Sequence, residues 1–348
     1  MTFKLNKLAA LVAVGFGILA SAPAFAAVEG MAQAVRQLSN FGFYKYDGTP
    51  PPAVGAPTST LLNVSDFVPG QFLITDNGGV SATLNGINVQ SSNPVAPPSP
   101  PLDLLHACSG AAAVCASFGQ NNFLQNSTVT TTVARSDMQL TGVVLGGVQI
   151  PGQPIGTFEP TPASSNLLAE LQIQGNGSGI SQTTSGTGGS VQFVLNQSQG
   201  ILIDFLSNDW LFAQVSPAFT MTAANTLSFR LTAANATVFA WTPDGTSANG
   251  LGLITGGTAL RDPCSLNSQV VATSLNLGLA QSFACVGRFA AVTNMLSAGV
   301  VYNLTFSETT TASGAVFAPV PEPGSLALVG AALAGLGLAR RRRASASA

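Results

Sequence analysis

Leu227-Ser228-Phe229-Arg230-Leu231-Thr232 is the stretch whose reading decides the fold class. Apolar and polar side chains alternate at every position, the period of two that belongs to a strand with one face in a core. The pattern recurs on both sides of it. Toward the C-terminus, residues 237–241 read as a strand and Pro243-Asp244-Gly245 turns the chain. Residues 274–279 and 301–307 continue the series, and in the latter Tyr302, Leu304 and Phe306 share one face. Residues 286–296 are the best helix candidate in the body. Toward the N-terminus, residues 201–205, 191–195, 167–174, 138–144 and 129–134 read as strands. Residues 72–75 and 80–89 do so around Asp76-Asn77-Gly78-Gly79, because asparagine and glycine tolerate the positive φ of a hairpin turn. Phe41-Gly42-Phe43-Tyr44-Lys45-Tyr46 alternates aromatics like a strand, and residues 29–39 before it read as a short opening helix or an irregular lead-in. The Gly/Ser/Thr-rich stretch 175–190 reads as a mobile loop, and 93–101, NPVAPPSPP, as an extended polyproline-type connector within one domain. Strand-like segments separated by turn residues, with few helical periods, predict an all-β body: an antiparallel β-sandwich or jelly roll.

Two segments lie outside that body. Residues 1–26 read as a signal helix: Lys4 and Lys7 form a positive start, residues 8–20 an apolar run, and Ala24-Phe25-Ala26 the small residues that signal peptidase reads. Cleavage is expected after Ala26. The other segment, 319–348, has three parts in order. Pro321-Glu322-Pro323-Gly324 stops any helix, because proline fixes φ and lacks an N–H. Residues 326–339, LALVGAALAGLGLA, carry no charge and read as a transmembrane helix. Arg340, Arg341, Arg342 and Arg343 close it, and clustered arginines stay on the cytoplasmic side of a span. The helix would reach about 21 Å against a hydrocarbon core of about 30 Å, so local thinning and snorkelling arginines must cover the difference. A short span suits a transient anchor.

This tripartite tail resembles the PEP-CTERM sorting signal of Gram-negative bacteria, which a membrane protease-transpeptidase called exosortase reads. The residues that carry the resemblance are Pro321, Glu322, Pro323, the apolar run and the four arginines; the extra Ala344-Ser345-Ala346-Ser347-Ala348 departs from tails that end sooner. The resemblance implies transient residence in the inner membrane, cleavage near the Pro-Glu-Pro motif, and delivery to the cell surface or the exopolysaccharide matrix. It implies no activity for the body.

Between the two segments lies the body, residues 27–318, long enough for one large or two smaller β domains. It keeps six of the twelve Lys/Arg and thirteen of the fourteen Asp/Glu, a net charge of −7 where the whole chain reads −2. No basic patch exists to neutralise phosphates, so nucleic acid is excluded as a partner. The polar surface must come from Ser, Thr, Asn, Gln and Gly, a composition suited to hydrated extracellular polymers, and weak charge repulsion favours self-association.

The body holds four cysteines. Cys108 and Cys115 enclose six residues, and Cys264 and Cys285 enclose twenty. Four cysteines permit three pairings; an oxidising compartment favours disulfides, and chain proximity favours the two local pairs. The spacing does not suit zinc. No calcium loop is present, since the acids are scattered. The sequons at Asn126 and Asn235 arise by chance in a chain rich in Asn, Ser and Thr. His106, the one histidine, has Asp103 nearby, but no nucleophile elbow accompanies them; it reads as a loop histidine beside a disulfide. Asp204 and Asp209 are the candidates for a glycosidase-type pair, yet five-residue spacing puts them on opposite faces of a strand. Trp210, Trp241, Tyr44 and Tyr46 could stack on sugars, though core packing is the commoner fate of such rings. Cofactors, metals and catalysis are therefore not expected. Two readings follow: a non-catalytic surface or matrix protein, or a secreted carbohydrate-binding or carbohydrate-active sandwich. An exposed aromatic platform or paired acids in a cleft would favour the second.

Overall fold

The computed structural model describes residues 29–50, 52, 59–95, 105–110, 115, 132–141, 147–149, 158–160, 163–174, 180–215, 219–245, 253–273, 279–316 and 333. The signal helix at 1–26 and the transmembrane helix at 326–339 fall outside this set, apart from Leu333. Among the described residues no helix is long and apolar enough to cross a membrane.

Apart from a 3-10 turn at Val64–Asp66, the named elements are all strands. In chain order they are β1 Glu29–Lys45, β2 Phe67–Leu84, β3 Ile87–Val95, β4 Leu105–Gly110, β5 Val133–Thr141, β6 Gly147–Gln149, β7 Phe158–Pro160, β8 Ala163–Gln174 and β9 Ile180–Leu195. There follow β10 Ile201–Val215, β11 Phe219–Ala233, β12 Ala236–Thr242, β13 Leu253–Thr255, β14 Gly257–Arg261, β15 Gln269–Thr273, β16 Gln281–Thr293 and β17 Val301–Val316. One sheet runs β14-β16-β10-β1-β8-β5-β4 and the other β13-β12-β11-β17-β9-β2-β3, with β15 paired to the start of β11. β6 and β7 form a separate ribbon. The ladders of both sheets are antiparallel.

The sheets pack face to face through their alternate side chains. Phe41 of β1 stacks on Phe229 of β11 at 5.7 Å and meets Phe306 of β17 at 5.4 Å. Phe205 of β10 stacks on Phe289 at 5.3 Å within its own sheet and touches Phe229 and Trp241 across the gap. Burying each ring contributes about 1.5–3 kcal/mol. Tyr302, Leu304 and Phe306 do share one face, and it is this one.

Several sequence expectations are corrected. Residues 29–39 are neither helix nor lead-in but the first part of β1, central in its sheet. Ala32, Ala34, Arg36 and Leu38 face the core while Val35 is buried on the other side, so the strand shows no polar alternation. The helix candidate 286–296 is mostly β16, whose run 289–292 is buried on both faces. Asp76-Asn77-Gly78-Gly79 is not a turn; β2 passes straight through it, and the chain reverses instead at Asn85-Gly86, where φ is 50° and 84°. The supposed loop 175–190 is, from Ile180 on, strand β9 between β17 and β2. A ladder needs only backbone donors and acceptors, and both neighbours supply them. Asn93-Pro94-Val95 of the proline-rich stretch belongs to β3; the rest lies outside the described residues. Residues 129–144 hold one described strand, β5, rather than two, and the strand expected at 274–279 lies, apart from Leu279, outside the described residues.

Candidate functional site

Arg36 sits in the inward row of β1, where its guanidinium must satisfy five donors away from water. Its Nε and Nη2 donate to Asp209 Oδ2 at 2.9 and 2.6 Å, directly across the ladder on β10. Nη1 and Nη2 also reach over to the carbonyls of Thr226 and Leu266. From β11 in the facing sheet, Asn225 Nδ2 donates to Asp209 Oδ2 and to the Val35 carbonyl, each at 3.0 Å. Ser207 Oγ donates to Asp209 Oδ1 at 2.6 Å. The result is a polar bolt joining the two sheets through the core. Glu308 of β17 is fully buried on the same inner face, and burial pushes its carboxyl up to about 7 against the pull of Arg36. Sequence reasoning missed this cluster: its members come from four strands, and no local motif links them.

Asp204, Glu170 and Asp137 lie on the outer face of the first sheet. Arg288 donates to both oxygens of Asp204, at 2.7 and 3.1 Å, and burial raises the Asp204 carboxyl above its ordinary range. Tyr44 is raised to about 12 by burial and by the adjacent Asp204. Arg135 Nε donates to Glu170 at 2.7 Å. Asp204 and Asp209 thus lie on opposite faces of β10, as their odd spacing requires, and an arginine holds each. They share no cleft in which a glycosidic bond could sit between them.

His106 is on strand β4, not in a loop. Its partner is Asp137, directly opposite on β5, with Nδ1 at 2.6 Å from Oδ1. Burial raises the Asp137 carboxyl, and the histidine offsets part of that. Asp103, the partner expected from the sequence, lies outside the described residues. Ser136 cannot complete a triad with them: it faces the core, where Oγ donates to the Thr184 carbonyl at 2.7 Å.

The aromatic candidates separate by face. Trp241 is wholly buried, stacked on Phe229 at 5.3 Å, and Tyr44 is buried as well. Tyr46 is half-buried. Trp210 is also half-buried on the outer face, stacked on Phe212 at 5.5 Å and backed by Val35 and Leu168. An apolar cavity of about 20 Å³ between Phe43, Phe72 and Phe193 is too small for a substrate. On the outer face of the second sheet, Asn77, Ser92, Ser307 and Thr309 border an open trough floored by Gly79, Gly186 and Gly188. Among the described residues no group of three or more His, Cys, Asp or Glu could hold a metal ion. The cysteines pair locally, Cys108 with Cys115 and Cys264 with Cys285.

The sorting residues follow the last strand. β17 ends at Val316, in the middle of the second sheet, and the matched tail begins three residues later. Residues 319–343 match the family model of the PEP-CTERM protein-sorting motif, a span that contains Pro321, Glu322, Pro323, Gly324 and Arg340 to Arg343. No curated protein matches the chain. Among solved structures, the VP2 subviral particle of infectious bursal disease virus aligns at 10% identity over 91% of this chain and 88% of that one, with a TM-score of 0.12. The Gt strain of the same virus aligns at 10% identity over 91% and 87%, with a TM-score of 0.10. Scores this low describe no shared fold and carry no argument.

Proposed function

We propose that this chain, which bears a PEP-CTERM sorting motif at 319–343, is exported across the inner membrane of a Gram-negative cell, processed by exosortase, and displayed as a non-catalytic component of the cell surface or extracellular matrix. The motif is the observation that carries the reading. Signal peptidase removes residues 1–26, the apolar run 326–339 then holds the body on the outer side of the bilayer, and cleavage near Pro321-Glu322-Pro323 releases it.

The body supports a structural role. Arg36, Arg135 and Arg288 are each committed to a carboxylate, and Lys45 pairs with Asp66. What remains for the surface is chiefly hydroxyls and amides, which suit contact with a hydrated polymer such as exopolysaccharide. Deleting 319–348 and fractionating cells tests the sorting step. The truncated protein is expected to leave the membrane and surface fractions for the periplasm; unchanged surface retention would contradict the proposal.

A carbohydrate-binding body is the second reading, favoured by the Trp210–Phe212 stack on the outer face. Under it, Trp210→Ala abolishes retention of the processed body on the producing cell's own exopolysaccharide. Under the first reading retention is unaffected by that change.

A further inference from the structure

The register of the ladders brings both ends of the body to one pole. β1 starts at Glu29, and Gly30 pairs with Val215 at the end of β10. β17 ends at Val316, which pairs with Phe219 at the start of β11. Three residues of chain separate Val215 from Phe219. Met221 packs between the two ends: its Sδ would lie 3.0 Å from a Cβ on Gly30 and 2.5 Å from one on Gly314. The strand that follows the signal peptide and the strand that precedes the sorting tail therefore begin and finish side by side, in facing sheets.

Charge divides along the same axis. In the last four rungs of the ladders at this pole, the formal charges among the described residues are Glu29 and the buried, mutually paired Arg135 and Glu170 of the β5–β8 ladder. Lys45, Asp47 and Asp66 lie at the opposite pole. The near pole exposes Ile87 at the tip of the β2–β3 hairpin and Leu279 just before β16, at 67% and 70%. Met295 and Val301 are exposed at the far pole, so apolarity alone does not choose between them. Tether length does. Residues 317–325 join Val316 to the apolar run and span at most about 30 Å. β1 alone, at about 3.3 Å per residue, makes the body on the order of 50 Å long. A tether shorter than the body cannot turn the far pole to the bilayer.

We infer that, while the tail is uncut, the nearly uncharged pole formed by the start of β1 and the end of β17 faces the lipid surface, with Ile87 and Leu279 at its margin, and the charged pole points away. This rests on the tail entering the bilayer, as proposed above. The test uses the uncut full-length chain in phosphatidylethanolamine–phosphatidylglycerol vesicles that contain headgroup-nitroxide lipid. Ile87→Cys, Leu279→Cys, Met295→Cys and Val301→Cys are each labelled with a fluorophore. The labels at 87 and 279 are expected to be strongly quenched, and those at 295 and 301 to be nearly unaffected. Equal quenching at both poles, or stronger quenching at the far one, in protein that still floats with the vesicles overturns the orientation and leaves the anchoring intact. Protein that does not float with the vesicles overturns the anchoring and the orientation together.

Discussion

Arg36 holds a full charge where water is excluded, and its worth shows in what its removal would leave behind. Asp209 would remain buried beside Asn225 and Ser207 with no cation to balance it. Arg36→Met is therefore expected to cost about 3–5 kcal/mol in urea unfolding, and Arg36→Met with Asp209→Leu to recover most of that, because the penalty comes from the orphaned charge. Glu308 sets the pH response. In the unfolded chain its carboxyl titrates near 4.5 and in the folded protein near 7. Below about pH 4.5 both states hold the proton and the group is neutral to stability. As pH rises, the unfolded chain ionises first, so stability falls through the window from 4.5 to 7 and levels off above it. The full drop is on the order of 3 kcal/mol. Asp262, pushed up to about 6 by burial, adds slope of the same sign at the lower end of the window. Glu308→Gln should flatten unfolding midpoints measured from pH 5 to 8; an unchanged profile would place the titrating group elsewhere.

Strand β9 is the element where composition and structure diverge most. From Thr183 to Ser190 it is built from Gly, Ser and Thr alone, yet it lies inside its sheet, between β17 and β2. Its glycines are not alike in what they require. A Cβ at Gly188 would meet Asn77 Oδ1 at 3.0 Å and the Phe306 carbonyl at 3.1 Å; by contrast, in the adjoining strand β2, a Cβ on Gly79, which pairs with Gly186, meets nothing nearer than 3.8 Å. Gly188→Val is expected to destabilise by about 1–3 kcal/mol, and Gly79→Val to be neutral or stabilising by up to about 1 kcal/mol, in thermal or urea melts. The same contrast explains which elements could be read beforehand. β11 and β17 have one face in the core and the other wet, so polarity alternates and the strands are visible in the chain. β1 over residues 32–36 and β16 over residues 288–293 are buried on both faces, and such runs resemble helix segments. In β2, Asn77-Gly78-Gly79 has turn chemistry but pairs with β9 on one side and β3 on the other, and tertiary pairing overrides the local preference. The disulfides were legible because their partners are near in the chain, as was the sorting tail, whose signal is linear. The Arg36–Asp209 bolt was not, because 173 positions separate its partners and only the ladder register brings them together.

Across the whole molecule, the meeting of the two ends is a consequence of topology that neither residues 1–26 nor the sorting motif could reveal. β1 is central in one sheet and β17 in the other, and both reach the same pole. Facing sheets stand about 10 Å apart, so a linker of about six residues, spanning up to about 20 Å, suffices to join Val316 to Glu29. The β2–β3 turn at Asn85-Gly86 offers an opening at that pole: it lies on the surface, and its residues already adopt the positive φ of a reversal. A circular permutant that begins at Gly86 and ends at Asn85, with residues 1–28 and 317–348 removed, is expected to fold with both disulfides formed and to melt close to the same body in its natural order. Had the ends lain at opposite poles, the linker would fall short by about 30 Å, since the sandwich is on the order of 50 Å long. It would then have to strip several rungs from β1 or β17, the two strands that carry Arg36 and Glu308. A permutant with a lowered melting point and broken pairing at Gly30 or Gly314, read by amide exchange, would show that the ends do not meet.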